Sequence, residues 1–580
     1  MPGNGEIASL LSELAGLTVL EEGSPQSFRV RAYEAAARAV ETAGRPVAAL
    51  PESDLVSIRG IGRSTARMIR ELVETGSIAR LEALRRRFPP DFLELTRVPG
   101  VGPKTAVLLR DRLGVGSVAD LRRALEHREV RDLPGMGART EENLLRAIER
   151  LGIGGKERRT PIAEAMRVGR DVVEAVSAIP GVEHAEVAGS LRRFRETIGD
   201  VDVVVVSTGD PEAIMERFVS LALVRDVVAS GARKSAVIGA AGIQVDLRVV
   251  RPDQFGAAAV YFTGSKAHNV HLRRLALEHG WTLNEYALSS LDDGRVIASA
   301  TEDEVYRALG LAWVPPELRE DTGEIELAAA GALPDLVDVS DLRGDLHVHT
   351  DLSGDGREPL EVMIAACAAR GDAYVAITDH GEDLTINGAS PEAMLAQREQ
   401  IALLREEYAP MVILHGVELN IGPNGGIDYD DEFLGGFDWG VAAVHSHFDL
   451  DPVRQTDRIV AAMQNPAVNT IGHPTGRRIG MRPGIEFDLD AVLEAAESTR
   501  CALEINCHLD RLDLPAGLLR RVGDREVLFT ISTDAHDTRE LGNLRWGVRN
   551  ARRGWVTANR VANSWDGGRF TAWAAAKRGG

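Results

Sequence analysis

The stretch Gly199-Asp200-Val201-Asp202-Val203-Val204-Val205-Val206 decides how the first half of the chain folds. A run of valines behind two spaced aspartates reads as a strand buried on both faces, with carboxylates at its entrance. Asp200 and Asp202 stand two residues apart, so on a strand both project from one face, about 7 Å apart along the backbone. Outward from this stretch, Gln244-Val245-Asp246-Leu247-Arg248-Val249 alternates polar and apolar residues and reads as a second strand that supplies a third carboxylate, Asp246. Residues 161–179 have helical spacing, and Gly189-Ser190-Leu191-Arg192-Arg193 offers a small turn, a hydroxyl and guanidinium donors suited to a triphosphate. Three carboxylates in one place repel unless cations sit between them, and hard oxygen ligands suit Mg²⁺ or Mn²⁺. The chemistry this points to is two-metal phosphoryl transfer.

At roughly 100 to 200 residues per domain, 580 residues form several units. With 44% hydrophobic and 27% charged residues the chain reads as globular, neither fibrous nor disordered. No run approaches the ~18 apolar residues of a membrane span, and no basic residue precedes Arg29 to start a secretory signal. The three cysteines, Cys367, Cys501 and Cys507, cannot build a disulfide framework. A cytoplasmic protein with no membrane partner is expected. The net charge of −20 is uneven: residues 1–300 hold 41 Lys+Arg against 40 Asp+Glu, and residues 301–580 hold 26 against 47. The first half is therefore electrostatically open to phosphates, which arginine must contact because only five of the 67 basic residues are lysine.

Three Gly-x-Gly turns punctuate the first 150 residues, at Arg59-Gly60-Ile61-Gly62, Pro99-Gly100-Val101-Gly102 and Pro134-Gly135-Met136-Gly137. One such turn is an ordinary helix cap. Three, spaced 40 and 35 residues apart, resemble helix-hairpin-helix motifs, whose free backbone N–H groups at a helix start grip DNA phosphates without reading bases. Pro315, Pro316 and the acidic stretch Glu317 to Glu326 read as a connector, with a boundary near 335. The basic run from Arg545 to Arg578 reads as a solvated helix, with an extra DNA contact as the alternative.

Beyond 335, apolar runs near 345–349, 373–379, 411–419, 439–445, 469–473, 501–506 and 527–534 alternate with amphipathic helical stretches, the pattern of a parallel barrel. Metal-type residues gather at the ends of these runs: His347 and His349, Asp355 in the next loop, His380 after Asp379, Glu418, His445, His473, and Asp534 with His536. A lone histidine at a strand end is an ordinary satisfied polar group. Eight of these nine residues mark six of the seven runs, and a barrel gathers such ends on one face. Mixed imidazole and carboxylate ligands suit Zn²⁺, Mn²⁺ or Fe²⁺. His415, His447, Asn506 and Cys507 are read as supporting or structural.

Gly189-Ser190, Gly199-Asp200-Val201-Asp202, Asp246 and Tyr261-Phe262-Thr263-Gly264-Ser265 occur in the order and spacing of the palm and thumb of family X DNA polymerases. The resemblance covers residues 1 to about 330. It implies that Asp200 and Asp202 ligate both metals and that Asp246 helps deprotonate the primer terminus. It further implies that Gly189, Ser190 and Arg193 bind the triphosphate, that Tyr261, Phe262 and Gly264 line the sugar, and that Asn269 touches the incoming base and Arg273 the template. DNA backbone would lie on Gly60, Gly62, Gly100, Gly102, Gly135 and Gly137. The family's lyase lysine falls on Met68, which cannot form an imine, so 5'-deoxyribose-phosphate lyase activity is not expected.

His-Val-His, Thr-Asp-His, Gly-Val-Glu, Val-His-Ser-His, Gly-His-Pro and Ser-Thr-Asp-Ala-His resemble the PHP domain, named for polymerase and histidinol phosphatase. That resemblance implies a distorted seven-stranded barrel with up to three ions, Mn²⁺ or Zn²⁺, and hydrolysis of phosphodiesters or phosphomonoesters. Asp355 stands where some members carry histidine. The fold expected is therefore multidomain α and α/β: a helical lyase-like unit (1–90), fingers (91–160), an α+β palm (161–260), thumb and linker (261–335), and a (β/α)₇ PHP barrel (336–580). The reading is a repair polymerase acting on gapped or primed DNA with dNTPs, carrying a 3'-5' exonuclease and leaving abasic-site endonuclease and 3'-phosphatase activity open. A DNA-binding scaffold with a decayed polymerase, or a barrel acting as a small-molecule phosphatase, are the rival readings. The oligomeric state is not legible, and a monomer is the default expectation.

Overall fold

The computed structural model describes residues 4–577 except 23–26, 42, 44–46, 59, 89–91, 96, 97, 99, 100, 139, 142, 143, 146–158, 240, 385 and 386. Arg59 and Gly100, the expected boundary between 90 and 91, and Arg578 lie outside the described residues. Helices Asn4–Glu22, Phe28–Glu41, Arg63–Thr75, Ala79–Arg87, Pro103–Leu113 and Val118–Glu126 share one apolar core that runs from Ile7 to Leu144.

The described residues of the three Gly-x-Gly turns share two backbone bonds. The middle residue donates three positions back, Ile61 to Ile58, Val101 to Val98 and Met136 to Leu133, at 3.0, 2.8 and 3.0 Å. The second glycine then accepts the first helical bond, from Ala66 to Gly62, Ala106 to Gly102 and Glu141 to Gly137. Gly60 and Gly135 are left-handed (φ 105° and 79°), and at Gly60 a Cβ would also come within 3.0 Å of the Ala35 carbonyl, so both restraints select glycine there.

Strands β1 (Val182–Val187), β2 (Asp200–Ser207), β3 (Val224–Ser230), β4 (Lys234–Gly239) and β5 (Gln244–Val250) form a mixed sheet in the order β1-β2-β5-β4-β3. The parallel pair β2 and β5 sets Asp202 directly opposite Asp246. Helix Ile162–Ser177 packs Ile162, Ala165, Val172 and Val176 against this sheet's core. Helices Phe255–Thr263, Lys266–Glu278 and Glu302–Ala308 follow, with an antiparallel meander of β6 (Trp281–Leu283), β7 (Leu288–Ser290) and β8 (Val296–Ala298).

The acidic stretch Glu317 to Glu326 is packed structure, not the expected connector. Arg319 and Glu324 are fully buried and Glu317 nearly so. Glu324 accepts from the amides of Asp321 and Thr322, both at 2.7 Å, and pairs with His268 Nδ1 at 2.6 Å. Arg319 forks onto Glu302 at 2.6 and 3.0 Å, and Arg192 reaches the same carboxylate at 2.7 and 3.1 Å. Of the charges that look like a solvated linker, Glu317, Arg319, Glu320, Asp321 and Glu324 are matched by distant partners. Burial alone would raise the Glu302 pKa, but Arg319 and Arg192 outweigh it and hold it at about 2. Its stabilising contribution is therefore complete above the ordinary carboxylate range and is lost only as the pH falls towards that value. Glu302→Ala strands the buried Arg319 and is expected to cost about 3–5 kcal/mol, read as a lowered midpoint in thermal unfolding.

Seven parallel strands, β9 (Gly344–Val348), β10 (Tyr374–Ile377), β11 (Val412–Asn420), β12 (Trp439–Ala443), β13 (Thr470–Gly472), β14 (Ala502–Asn506) and β15 (Phe529–Ser532), follow one another in sequence order. Where β9 ends and the chain leaves β15, the Asp534 amide donates to the His347 carbonyl and the His349 amide to the Ala535 carbonyl, each at 2.9 Å, which brings the barrel close to closure. Strands covered on both faces read as unbroken apolar runs, which is why all seven were legible.

The basic run after Arg545 begins in a packed helix and not the solvated one expected, with Arg545 and Arg569 themselves exposed. Helix Leu544–Arg553 is a seam: Arg549 donates to Glu317 at 3.1 Å and to the Arg192 carbonyl, and Arg553 donates to the Arg193 carbonyl at 3.1 Å. Trp546 stacks on Phe194 with ring centroids 5.9 Å apart. Farther on, Phe570 stacks on Tyr374 at 4.3 Å. Arg552 and Arg560 likewise donate to carbonyls, of Val337 and of Gly523, Arg525 and Val527. All three cysteines are buried and free. Among the described residues no helix is long and apolar enough to cross a membrane.

Two candidate metal centres

The first centre lies at the start of β2 and β5. The β2–β5 register carries Asp202 beside Asp246, and Asp200 opens β2 on the same face. Gly189 is left-handed (φ +61°), and a Cβ there would overlap the Asp202 carboxylate, so the backbone of the Gly-Ser turn rides directly on the acid. Gln244 donates to Asp246 Oδ1 at 2.7 Å, and Lys234 Nζ lies 3.7 Å from its Oδ2. Burial and the charges of Asp200 and Asp246 raise the Asp202 pKa to about 7. Carboxylates crowded to that degree form a site that divalent cations relieve, and the all-oxygen donor set fits a hard ion.

Two turns carry the expected nucleotide residues, and Arg193 links them. Ser190 lies in the short helix Gly189–Arg192. Arg193 donates to Glu320 at 3.0 Å and to the Thr263 carbonyl at 2.6 Å, which ties it to the Tyr261–Gly264 turn. Tyr261 and Phe262 meet edge to face at 5.1 Å; Arg273 lies over the Tyr261 ring at 5.1 Å and Arg248 over Phe262 at 5.0 Å. Asn269 donates to the carbonyls of Tyr261 (2.6 Å) and Gly264 (3.3 Å), holding the turn's shape. Gly62, Gly102 and Gly137 are exposed at their helix starts, far along the sequence from this cluster.

The second centre is built on Glu418, at the buried end of β11. His347 and His349 Nε2 lie 3.4 Å from its Oε2, His380 Nδ1 2.8 Å from the same oxygen, and His445 and His473 Nε2 3.1 and 3.0 Å from Oε1. Asp534 Oδ1 stands 3.2 Å from His349, and Asp355 Oδ1 lies 3.6 and 3.5 Å from His380 and His536. All nine residues expected from the sequence therefore meet. His347 Nε2, His349 Nε2, His380 Nδ1 and Glu418 Oε2 are buried without a hydrogen-bond partner. Orphaned imidazole nitrogens facing carboxylates are what an ion would satisfy, and the mixed donors fit Zn²⁺ or Mn²⁺.

Burial, His536 and His380 hold His349 at about 4, and burial and Arg511 hold His473 at about 3, so both are neutral near pH 7, the state that ligates. Burial alone would lower His380, but Glu418 and Asp355 outweigh it and lift it to about 10. Sequence reasoning missed Glu504 on β14, which pairs with His347 Nδ1 and accepts the His473 amide, both at 2.7 Å. It thereby orients one ligand and anchors another. Its only sequence signal is the alternation Leu503-Glu504-Ile505-Asn506, which sends both polar side chains to one side; Asn506 bridges Glu504 and Asp534 at 3.1 Å each. Asp379 binds the Thr350 amide and hydroxyl at 2.8 and 2.7 Å and so shapes the loop next to His349.

Comparison with known proteins shows the family of the chain. Family models match a PHP domain over residues 345–508, a DNA polymerase beta thumb over 258–320, a helix-hairpin-helix domain over 2–78 and a SAM-like helix-hairpin-helix tandem over 92–150. The chain is 36% identical over 563 residues to the DNA polymerase/3'-5' exonuclease PolX of Bacillus subtilis (strain 168), covering 96% of this chain and 97% of that protein. The chain belongs to the PHP-bearing family X DNA polymerases. Rat DNA polymerase lambda is 26% identical over 320 residues, half of this chain and 52% of its own length. A probable phosphatase of Syntrophotalea carbinolica is 31% identical over 165 residues, 28% of this chain and 64% of its own length. In this family X chain, the thumb match begins at residue 258, inside the helix that carries Tyr261 and Phe262.

Proposed function

We propose that this PHP-bearing family X protein fills short gaps in DNA by template-directed addition of dNMP, and that its barrel removes 3' nucleotides as a metal-dependent 3'-5' exonuclease. The observation that carries the reading is the presence of two distinct ligand clusters on two sheets, one of oxygen donors only and one of imidazoles around Glu418. The division that fits is a helical DNA-binding unit (1–90), fingers (91–160), palm (161–260), thumb and linker (261–335) and PHP barrel (336–580). A monomer in the cytoplasm, associated with the nucleoid, suits such work.

In the palm, Asp200, Asp202 and Asp246 would hold Mg²⁺ or Mn²⁺, which supplies Lewis acidity to phosphoryl transfer when bound. Asp246, steadied by Gln244, would draw the proton from the primer 3'-hydroxyl. Ser190 and Arg193 bind the triphosphate, with Arg193 exchanging Glu320 for phosphate oxygens. Tyr261, Phe262 and Gly264 line the sugar, Asn269 meets the base and Arg273 the template. Backbone N–H groups of the three Gly-x-Gly turns hold DNA phosphates. In the barrel, the nine ligands would hold up to three Mn²⁺ or Zn²⁺ ions, while Glu504 fixes His347.

The test is primer extension on gapped duplex alongside release of nucleotides from a labelled 3' end in Mn²⁺. Both activities are expected from the intact chain, and absence of extension would leave a DNA-binding scaffold. Hydrolysis of phosphomonoesters without release from DNA ends would favour the second reading, a barrel phosphatase, which the probable-phosphatase relatives support. Met68 packs, partly buried, against the helical core, where a thioether offers no amine. Borohydride trapping with a 5'-deoxyribose-phosphate end is expected to give no covalent adduct on this chain, and a trapped adduct on the first unit would contradict that.

A further inference from the structure

β14 is the barrel strand whose end supplies no ligand to the Glu418 centre, and the loop after it supplies Arg511 instead. Arg511 Nε lies 3.8 Å from Asp534 Oδ2 with its side chain only 14% exposed, and among the described residues its guanidinium makes no hydrogen bond. Two more arginines come from the loop after β13. Arg482 is pinned by two bonds to the Gly476 carbonyl, at 3.0 and 2.7 Å, and lies 3.8 Å over the Phe448 ring. Arg478 Nε stands 3.6 Å from Asp510 Oδ2, a carboxylate that His508 Nδ1 already engages at 2.5 Å. Burial, and then the charges of Arg511 and Arg478, push the Arg482 pKa down, so the three guanidinium groups lie within one another's field.

The same loop is anchored on the palm. Arg477 forks onto Glu196 at 2.9 and 3.0 Å, Ile479 joins the apolar core of the five-stranded sheet, and a Cβ on Gly480 would come 2.8 Å from Pro161 Cγ. The Ile479 amide donates to the Asp510 carbonyl at 2.6 Å, locking the two arginine-bearing loops together. Glu196 and the loop from Arg477 to Gly484 line a cleft of about 420 Å³, with Arg478, Met481 and Arg482 on its wall.

We propose that Arg511, with Arg482 and Arg478, is the subsite that grips a phosphodiester of the DNA strand beside the barrel's metal centre, at the seam with the palm. The proposal rests on the reading of the barrel as a phosphoesterase. A guanidinium held in place with unused donors matches a phosphate in a fork, and two or three such groups outcompete water for it. A purely structural alternative has Arg511 only neutralising Asp534.

The full-length metal-loaded protein is titrated with a hydrolysis-resistant dinucleoside phosphorothioate, too short to span a helix-hairpin-helix contact, and separately with inorganic phosphate. Arg511→Gln is expected to weaken dinucleotide binding by about tenfold or more, with Arg511→Lys recovering part of it. In parallel, the KM for release from a labelled 3' end rises while kcat stays within about threefold. Primer extension and metal content serve as controls for the fold and should not change. Undiminished dinucleotide affinity in Arg511→Gln overturns the proposal, as does loss of metal from that variant, which would assign Arg511 a structural role. Equal affinity for phosphate and dinucleotide, lost together, would mark a site for free phosphate and not for a strand. If binding falls as expected but the wild-type protein releases nothing from 3' ends, the subsite stands and the exonuclease reading fails.

Discussion

Replacing Asp200 and Asp202 together by alanine is expected to lower nucleotide addition on gapped DNA by at least about 10³-fold, while release from a labelled 3' end is unchanged. Asp202 faces Asp246 across the parallel pair at the centre of the mixed sheet, and no residue of the barrel takes part in that register. Removing two of the three carboxylates leaves Asp246 alone with Gln244 and Lys234, a set that cannot hold two ions. The fold should survive, because Asp200 is exposed and the loss of Asp202 removes an acid whose burial and repulsion from Asp200 and Asp246 raise its pKa to about 7. Loss of hydrolysis in the same variant would mean that the two centres are not separable.

The reciprocal experiment uses Glu418→Gln. Both oxygens of this carboxylate face imidazoles, three on one side and two on the other, so a neutral amide removes the charge around which the second centre is organised. We expect metal content to fall and 3' hydrolysis to drop by at least about 10³-fold, with primer extension intact. Full hydrolysis in Glu418→Gln would place the chemistry elsewhere.

Much of this was legible in the sequence because the features are local or periodic. The valine run after Asp202 and the seven apolar runs of the barrel are buried strands whose burial leaves its mark on every residue. The His-x-His pair and the residues at strand ends needed only the rule that a barrel gathers its strand ends on one face. What escaped reading depended on distant partners. Glu302, Arg319, Arg192, His268 and Glu324 form a buried polar cluster whose members are separated by 17 to 110 positions in its bonds to Arg319 and Arg192, so locally the acidic stretch looks solvated. The helix Leu544–Arg553 reads as basic, but its arginines bond to residues more than 200 positions away. Glu504 was hidden for the same reason: a single glutamate inside an apolar strand means nothing until His347, 157 positions earlier, is placed against it.

The most direct test of two separate cation sites in one chain is anomalous diffraction at the manganese edge from crystals of the full protein grown with Mn²⁺. The account expects peaks among Asp200, Asp202 and Asp246 and a second group of peaks around Glu418, within reach of His347, His349, His380 and Asp534. Peaks at only one of these places, or manganese held elsewhere with both clusters bare, would contradict it.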